Sequence, residues 1–182
     1  MSSMARRERE RAERHQLIIA TARQLAETEG WDAVTTRRLA DAIEYSQPVL
    51  YSHFDGKEAI VAAVALEGFA EMANAIGKAK DVAQMVRIYL SFAEDNPAVY
   101  DAMFTMNTRL RFAEEDTPEP MKAGFRAIQD VLKPVAKGRD LGIFTELAWS
   151  ALHGLVTLTR GGRLPAEGQR ERIAMLVDQL VA

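Results

Sequence analysis

A helical period runs through nearly the whole of this chain, and it leaves little choice of architecture. Apolar residues recur at spacings of three and four, no run alternates for long in the manner of a strand, and no internal repeat is visible. Leu17, Ile18, Thr21, Ala22, Leu25 and Ala26 form the first stripe, on a helix expected from about Arg9 to Glu29. Gly30 ends it, because glycine accepts the left-handed backbone of a helix end. Trp31 and Val34 then turn back onto the same core. Thr35 reads as the N-cap of a second helix with Leu39, Ala40 and Ile43 inward. Glu44-Tyr45 makes a turn. Ser46 caps a third helix, Gln47 to Phe54, with Pro48 in its first turn, where a missing N–H costs little.

The same punctuation continues. Asp55-Gly56-Lys57-Glu58 has the spacing of a capping box and opens a long fourth helix carrying Val61, Val64, Phe69, Met72 and Ile76. Asp81 and Gln84 repeat that spacing for a fifth. Asn96-Pro97 opens a short sixth, Pro97 to Met106. Asn107 to Asp116 is a polar loop, Thr117-Pro118 opens a seventh helix, an eighth runs from about Asp140 to Thr159, and a ninth from about Ala166 to Val181. The expected fold is all-α with about nine helices: a three-helix head at residues 1–56 and a helical body at residues 57–182, without a linker between them.

Composition narrows the function classes. With 48% apolar residues the chain has the material for a packed core. It has no cysteine, so disulfides and thiolate metal sites are excluded. The first fifteen residues, MSSMARRERERAERH, are too charged for a signal peptide, and the longest apolar stretch, Leu147 to Leu158, is short of a membrane span. A cytoplasmic protein with no membrane association is expected. There is no glycine-rich phosphate loop, nucleophile elbow or His-Glu-x-x-His, and the three histidines lie in three different helices. No catalytic residue, metal or cofactor is expected. The net charge is −3, and residues 1–60 carry nine Lys/Arg against ten Asp/Glu, so any positive footprint must be local.

The second and third helices, joined by a turn of three or four residues, have the proportions of a helix-turn-helix, whose second helix fits the major groove of B-DNA. Spacing separates the faces of the third helix. Val49 or Leu50 points inward with Phe54, while Gln47, Pro48, Tyr51 and Ser52 point away and His53 lies at the margin. The outward residue types suit DNA. The Gln47 amide can bond adenine twice, and Pro48 and Val49 can touch thymine methyls. Thr36, Ser46, Tyr51 and His53 are donors suited to phosphate oxygens. Lys57 sits at a helix N-terminus, and Arg37 reaches a guanine edge or a phosphate. His53 is equally readable as making a local structural bond. The arginine-rich start is readable as a solvated tail or as a minor-groove arm carrying Arg6 and Arg7.

The stretch GWDAVTTRRLADAIEYSQPVLYSHFDGKEAI resembles the DNA-binding signature of the TetR (tetracycline-repressor) family of bacterial transcriptional repressors. Gly30, Thr35-Thr36, Leu39-Ala40, Ser46, Tyr51, His53, Phe54, Lys57 and Glu58 carry the likeness, which covers about a quarter of the chain. Where the family usually has Gly-Val, this chain has Glu44-Tyr45. If residue 44 takes positive φ, a glutamate there costs on the order of 1 kcal/mol, and Glu44→Gly should stabilise the protein.

The resemblance implies a two-fold dimer built from the last two helices. The candidates are Ala148, Ala151, Leu152, Leu155, Val156 and Thr159 on one, and Ile173, Leu176, Val177 and Leu180 on the other. It also implies an effector pocket for a small, mostly apolar ligand, with Met72, Met85, Tyr89, Phe92, Met103, Phe104, Phe125, Trp149 and His153 as candidate walls. The segment Trp149 to Leu158 is similar to the Trp-x-x-x-His-Gly feature of one subgroup of the family's C-terminal domains. The expected partners are therefore operator DNA, a second copy and an effector. The rival is a helical protein-interaction adaptor that has lost DNA binding, which the negative head favours.

Overall fold

The computed structural model describes residues 3–182. Among these residues there are nine α-helices, two short 3-10 turns and no strand. The helices are α1 (Ser3–Glu29), α2 (Thr36–Ala42), α3 (Gln47–Tyr51), α4 (Gly56–Ile76), α5 (Val82–Asp95), α6 (Pro97–Phe104), α7 (Glu119–Leu132), α8 (Leu141–Arg160) and α9 (Gln169–Val181). The turns are Trp31–Ala33 and Lys133–Val135. The first helix starts six residues before the expected Arg9, with an i,i+4 pair between Arg6 and Glu10 at 3.6 Å along it. Arg6 and Arg7 therefore sit on a helix rather than on an irregular tail or arm.

The chain forms two compact units. The first takes in the chain up to Gly68 together with Asn96–Ala113, and the second takes in Phe69–Asp95 with Glu114–Ala182. The first unit thus reaches further than the residues 1–56 expected for the head. It includes most of α4 and all of α6.

Inside the first unit, Ile18, Val34, Leu39, Leu50 and Val64 are buried to 1% exposure or less. The Thr35 hydroxyl accepts the Arg38 N–H at 3.2 Å, so α2 is capped as its sequence implies. α6 is clamped from α1. The Glu27 carboxylate accepts the N–H groups of Ala98 and Val99, each at 3.0 Å. Trp31 Nε1–H donates to the Ala98 carbonyl at 2.8 Å, and an Arg23 Nη2–H donates to Asn96 Oδ1 at 2.9 Å. Asn96 holds the N-cap position but makes no side-chain cap bond, so Glu27 supplies the acceptor for the orphan N–H groups of the first turn. Gly68 marks where α4 meets α6: a Cβ there would lie 2.4 Å from Val99 Cγ1 and 2.8 Å from Met103 Sδ.

In the second unit α8 packs on α5 and α7, and α9 packs on α5. Asp81 caps α5 as its spacing implies, with Gln84 N–H on Asp81 Oδ1 at 2.7 Å, while the Gln84 side chain reaches one residue further back than a capping box requires and accepts the Lys80 N–H at 2.8 Å. Asp140 caps α8 through the Ile143 N–H at 2.9 Å. By length and composition, α4 and α8 are each apolar enough to cross a membrane, with mean hydropathies of 1.5 and 1.3. Counting only uninterrupted apolar residues missed both, since each interleaves small and polar side chains with its apolar ones. In α4 44% of that apolar window is buried, but in α8 only 28% is, so α8 keeps an apolar face outward.

Candidate nucleic-acid interface

α3 is shorter than its apolar pattern suggested. It ends at Tyr51, and the Ser52 hydroxyl turns back to donate to the Val49 carbonyl at 2.6 Å. Five residues cannot hold a helix by themselves, so tertiary anchors set the position of this one. Leu50 and Phe54 are those anchors, at 1% and 6% exposure. Val49 is half-buried, which settles the inward residue as Leu50. The opposite face is open: Ser46, Gln47, Pro48 and Tyr51 are exposed, with Tyr51 at 57%. The half-buried Thr36 hydroxyl lies 3.4 Å from the Tyr51 hydroxyl, which brings the start of α2 and the end of α3 to one polar edge.

The two arginines of α2 divide their roles. Arg38 makes a two-pronged bond to Glu29, Nη1 to Oε2 at 2.8 Å and Nη2 to Oε1 at 2.7 Å. That bond holds the Glu29 carboxyl below its ordinary pKa and the guanidinium above its own. Arg37 is exposed and makes no ion pair among the described residues, so it is the α2 cation available to a ligand. Lys57 is half-buried, and its ammonium donates to the Trp31 carbonyl. It ties α4 to the turn after α1, a role that its spacing in the sequence does not reveal. His53 faces α1 with its ring centroid 5.9 Å from that of His15. Burial pushes its pKa down, and the neighbouring His15, Arg11 and Arg14 push it further.

The turn between the helices closes as a Schellman motif. Tyr45 N–H bonds the Ala40 carbonyl at 3.0 Å, Glu44 N–H approaches the Asp41 carbonyl at 3.4 Å, and Glu44 has φ +57°. The condition set by the sequence, positive φ at residue 44, is met.

This arrangement has known relatives. Residues 18–64 match the family described as bacterial regulatory proteins, tetR family, and residues 82–182 match the tetracyclin repressor-like C-terminal domain. The chain belongs to the TetR family. It is a DNA-binding transcriptional regulator. It is 31% identical over 159 residues to the uncharacterized HTH-type transcriptional regulator Rv0681 of Mycobacterium tuberculosis, an alignment covering 80% of this chain and 69% of that protein. A protein of unknown function from Rhodococcus sp. RHA1 has the same fold, with a TM-score of 0.76 at 21% identity, covering 92% of this chain and 93% of that one. So does a TetR variant from Acinetobacter baumannii AYE in complex with minocycline, with a TM-score of 0.61 at 20% identity and 90% coverage of both chains.

Within the TetR C-terminal region, the expected pocket residues fall into two groups. Met72, Met85, Tyr89, Phe92, Phe125, Trp149 and His153 belong to the second unit, while Met103 and Phe104 belong to the first. Met85 and Tyr89 are fully buried, and Trp149 Nε1–H donates to the Tyr89 hydroxyl at 3.2 Å. The Trp149 and His153 rings lie 6.4 Å apart, and burial lowers the His153 pKa. The structure thus brings Tyr89, Trp149 and His153 together, whereas Met103 packs beside Gly68 and Phe104 lies 4.7 Å from the Tyr100 ring.

The expected dimer residues also divide. Ala148, Leu152, Val156 and Leu180 are at 6% exposure or less inside the single chain. They serve its own core: α8 packs on α5 and α7, and α9, which carries Leu180, packs on α5. Ala151, Leu155, Thr159, Ile173, Leu176 and Val177 are half-buried. The exposed apolar row is Ile143, Leu147 and Leu158 on α8, at 59%, 64% and 42%, with Met175 and Val181 on α9 at 62% and 38%. Gly154 lies between Leu147 and Leu158 on α8, and a Cβ there would meet nothing within 4 Å. The expected set thus mixes core residues with half-buried ones, and Ile143, Leu147, Leu158, Met175 and Val181 lie outside it.

Proposed function

We propose that this chain is a ligand-responsive repressor that grips a pseudo-palindromic operator as a homodimer in the cytoplasm. The observation that carries the reading is α3 itself, anchored by Leu50 and Phe54 and presenting Gln47, Pro48 and Tyr51 outward beside an unpaired Arg37. Gln47 reads an adenine edge, Pro48 and Val49 meet thymine methyls, and Arg37 reaches a base edge or phosphate. Thr36, Ser46 and Tyr51 fix register on the backbone, with Lys57 supporting the start of α4. The uncovered apolar row on α8 and α9 supports association through Ile143, Leu147, Leu158 and Met175, and the outer half of the expected set, from Ala151 to Val177, flanks it. Burial of such a row is the main drive for association.

The group of buried Tyr89 with half-buried Trp149 and His153 supports an effector site for a small, mostly apolar ligand with one polar handle. It also supports membership of the Trp-x-x-x-His-Gly subgroup. The minocycline-bound relative is a precedent for ligand control in this fold. The ligand loosens DNA only by binding the two states of the dimer unequally.

The test is selection of DNA from a random pool by the full-length protein, followed by gel shifts across salt concentrations. The expected site is pseudo-palindromic, with half-sites about one helical turn (~34 Å) apart. Arg37→Ala is expected to relax sequence preference, and Tyr51→Phe to weaken all sites alike. A strict monomer that selects no DNA would return the adaptor reading.

A further inference from the structure

Behind the recognition helix, in the first unit, a cleft of about 350 Å³ opens between α1, the α3–α4 junction and α4. Its walls are His15, His53 and Phe54 over an alanine-rich face of α4. His15 stacks on Phe54 with ring centroids 4.3 Å apart and planes 18° from parallel. It also faces His53 at 5.9 Å. One turn earlier on α1, Arg11 Nη2–H donates to the carbonyl of Ser52, the C-cap of α3, at 3.4 Å. The trailing end of α3 is therefore held from α1, at the residues directly after its last turn.

We propose that His15 is a positioning residue for the recognition helix, holding α3 through its stack on Phe54 and its close approach to His53. This rests on the reading that α3 enters the DNA groove. α1 contributes Arg11, Arg14 and His15 around His53. The α3–α4 junction and α4 contribute Asp55 and Glu58, and the segment after α6 contributes Arg109. Glu58 is already matched by Arg109, whose Nε lies 3.6 Å away. Asp55 is left to offset two arginines and two histidines. A proton on His53 adds a like charge to a crowded joint.

The sign follows from the depressed His53 pKa. The unfolded or loosened form binds the proton more readily than the packed form. The joint is intact above the ordinary histidine pKa of about 6.5 and weakens as pH falls through it. A loosened α3 is a smaller binding-competent fraction, so apparent affinity falls by that fraction. Phosphate contact by His53 predicts the reverse, since DNA would then favour the proton.

Wild type, His15→Phe and His15→Ala, each full length, separate these outcomes on the DNA fragment selected above, at fixed ionic strength. Phenylalanine keeps the stack on Phe54 without the imidazole, whereas alanine removes both. At pH 7.5, His15→Phe is expected to bind within about twofold of wild type and His15→Ala more weakly. Between pH 7.5 and 5.5, wild type is expected to lose affinity relative to His15→Phe, because His15 is one of the groups that hold the His53 pKa down. If wild type gains on His15→Phe as the pH falls, the proposal is overturned.

Should no DNA be selected, the repressor reading falls, and NMR of the chain's three histidines decides the proposal alone. The expected result in wild type is a low His53 midpoint, with amide exchange at α3 quickening as His53 titrates. His15→Phe is expected to raise that midpoint and steady α3. A His53 midpoint unmoved by His15→Phe, with α3 exchange unchanged by pH, would refute it.

Discussion

Replacing Glu44 with glycine is expected to stabilise the protein. The C-terminal end of α2 closes only with residue 44 in the left-handed region, and it is there at φ +57°. A Cβ in that conformation costs about 1–2 kcal/mol. A carboxylate beside the negative end of a helix adds about 0.3–1 kcal/mol of unfavourable interaction. Glycine gives back about 0.4–1 kcal/mol, because its unfolded chain has more conformations to lose. The balance is a gain of about 1 kcal/mol, and nothing else is lost because the Glu44 side chain is exposed. For a chain of this size that corresponds to a rise of about 2–4 °C in Tm. Two controls separate the terms: Glu44→Gln removes only the charge, and Glu44→Ala keeps the Cβ. Both should fall short of glycine in thermal unfolding by circular dichroism and in urea melts. A glycine variant no more stable than alanine, or less stable than wild type, would refute the strain argument.

Gly68→Ala is expected to destabilise by about 1–3 kcal/mol through overpacking against Val99 and Met103, despite a gain in helix propensity, and Val99→Ala in the same chain should recover part of it in urea melts. Glu27→Ala strips two acceptors from the first turn of α6, and a loss of about 1–2 kcal/mol is expected; a neutral result would show that water caps that turn equally well. Leu147→Glu, at an exposed apolar position, is expected to leave monomer stability within about 0.5 kcal/mol but to shift sedimentation toward monomer. His153 titrates below its ordinary range through burial, so the stability it contributes when neutral drains away as pH falls below about 6.5. His153→Gln should flatten that part of the acid limb, and an unaltered limb would place His153 in water.

Local chemistry was readable in advance and long-range chemistry was not. The caps at Thr35 and Asp81 depend on residues three apart, so the sequence revealed them. The strain at Glu44 was readable because a Schellman closure demands one backbone geometry whatever surrounds it. The end of α3 was misjudged because its last turn tightens to i→i+3 bonds, Ser52 N–H on Val49 and His53 N–H on Leu50, which periodicity does not register. Glu27 left no local trace, since the first N–H that it caps, that of Ala98, lies 71 residues away. The split between Arg37 and Arg38 depends on which of them Glu29 can reach. The inner and outer stripes of α8 are both apolar, and only their packing partners tell them apart.

The clamp on α6 bears on how the protein is made. Asn96–Ala113 belongs with the chain up to Gly68, so the reading head has a gap in its own sequence. During synthesis, Glu27 and Trp31 leave the ribosome long before their partners at Ala98 and Val99 exist. At about 5–20 residues per second, the nascent head waits several seconds with that surface uncovered. A head transplanted onto another protein must therefore carry the distant segment with it.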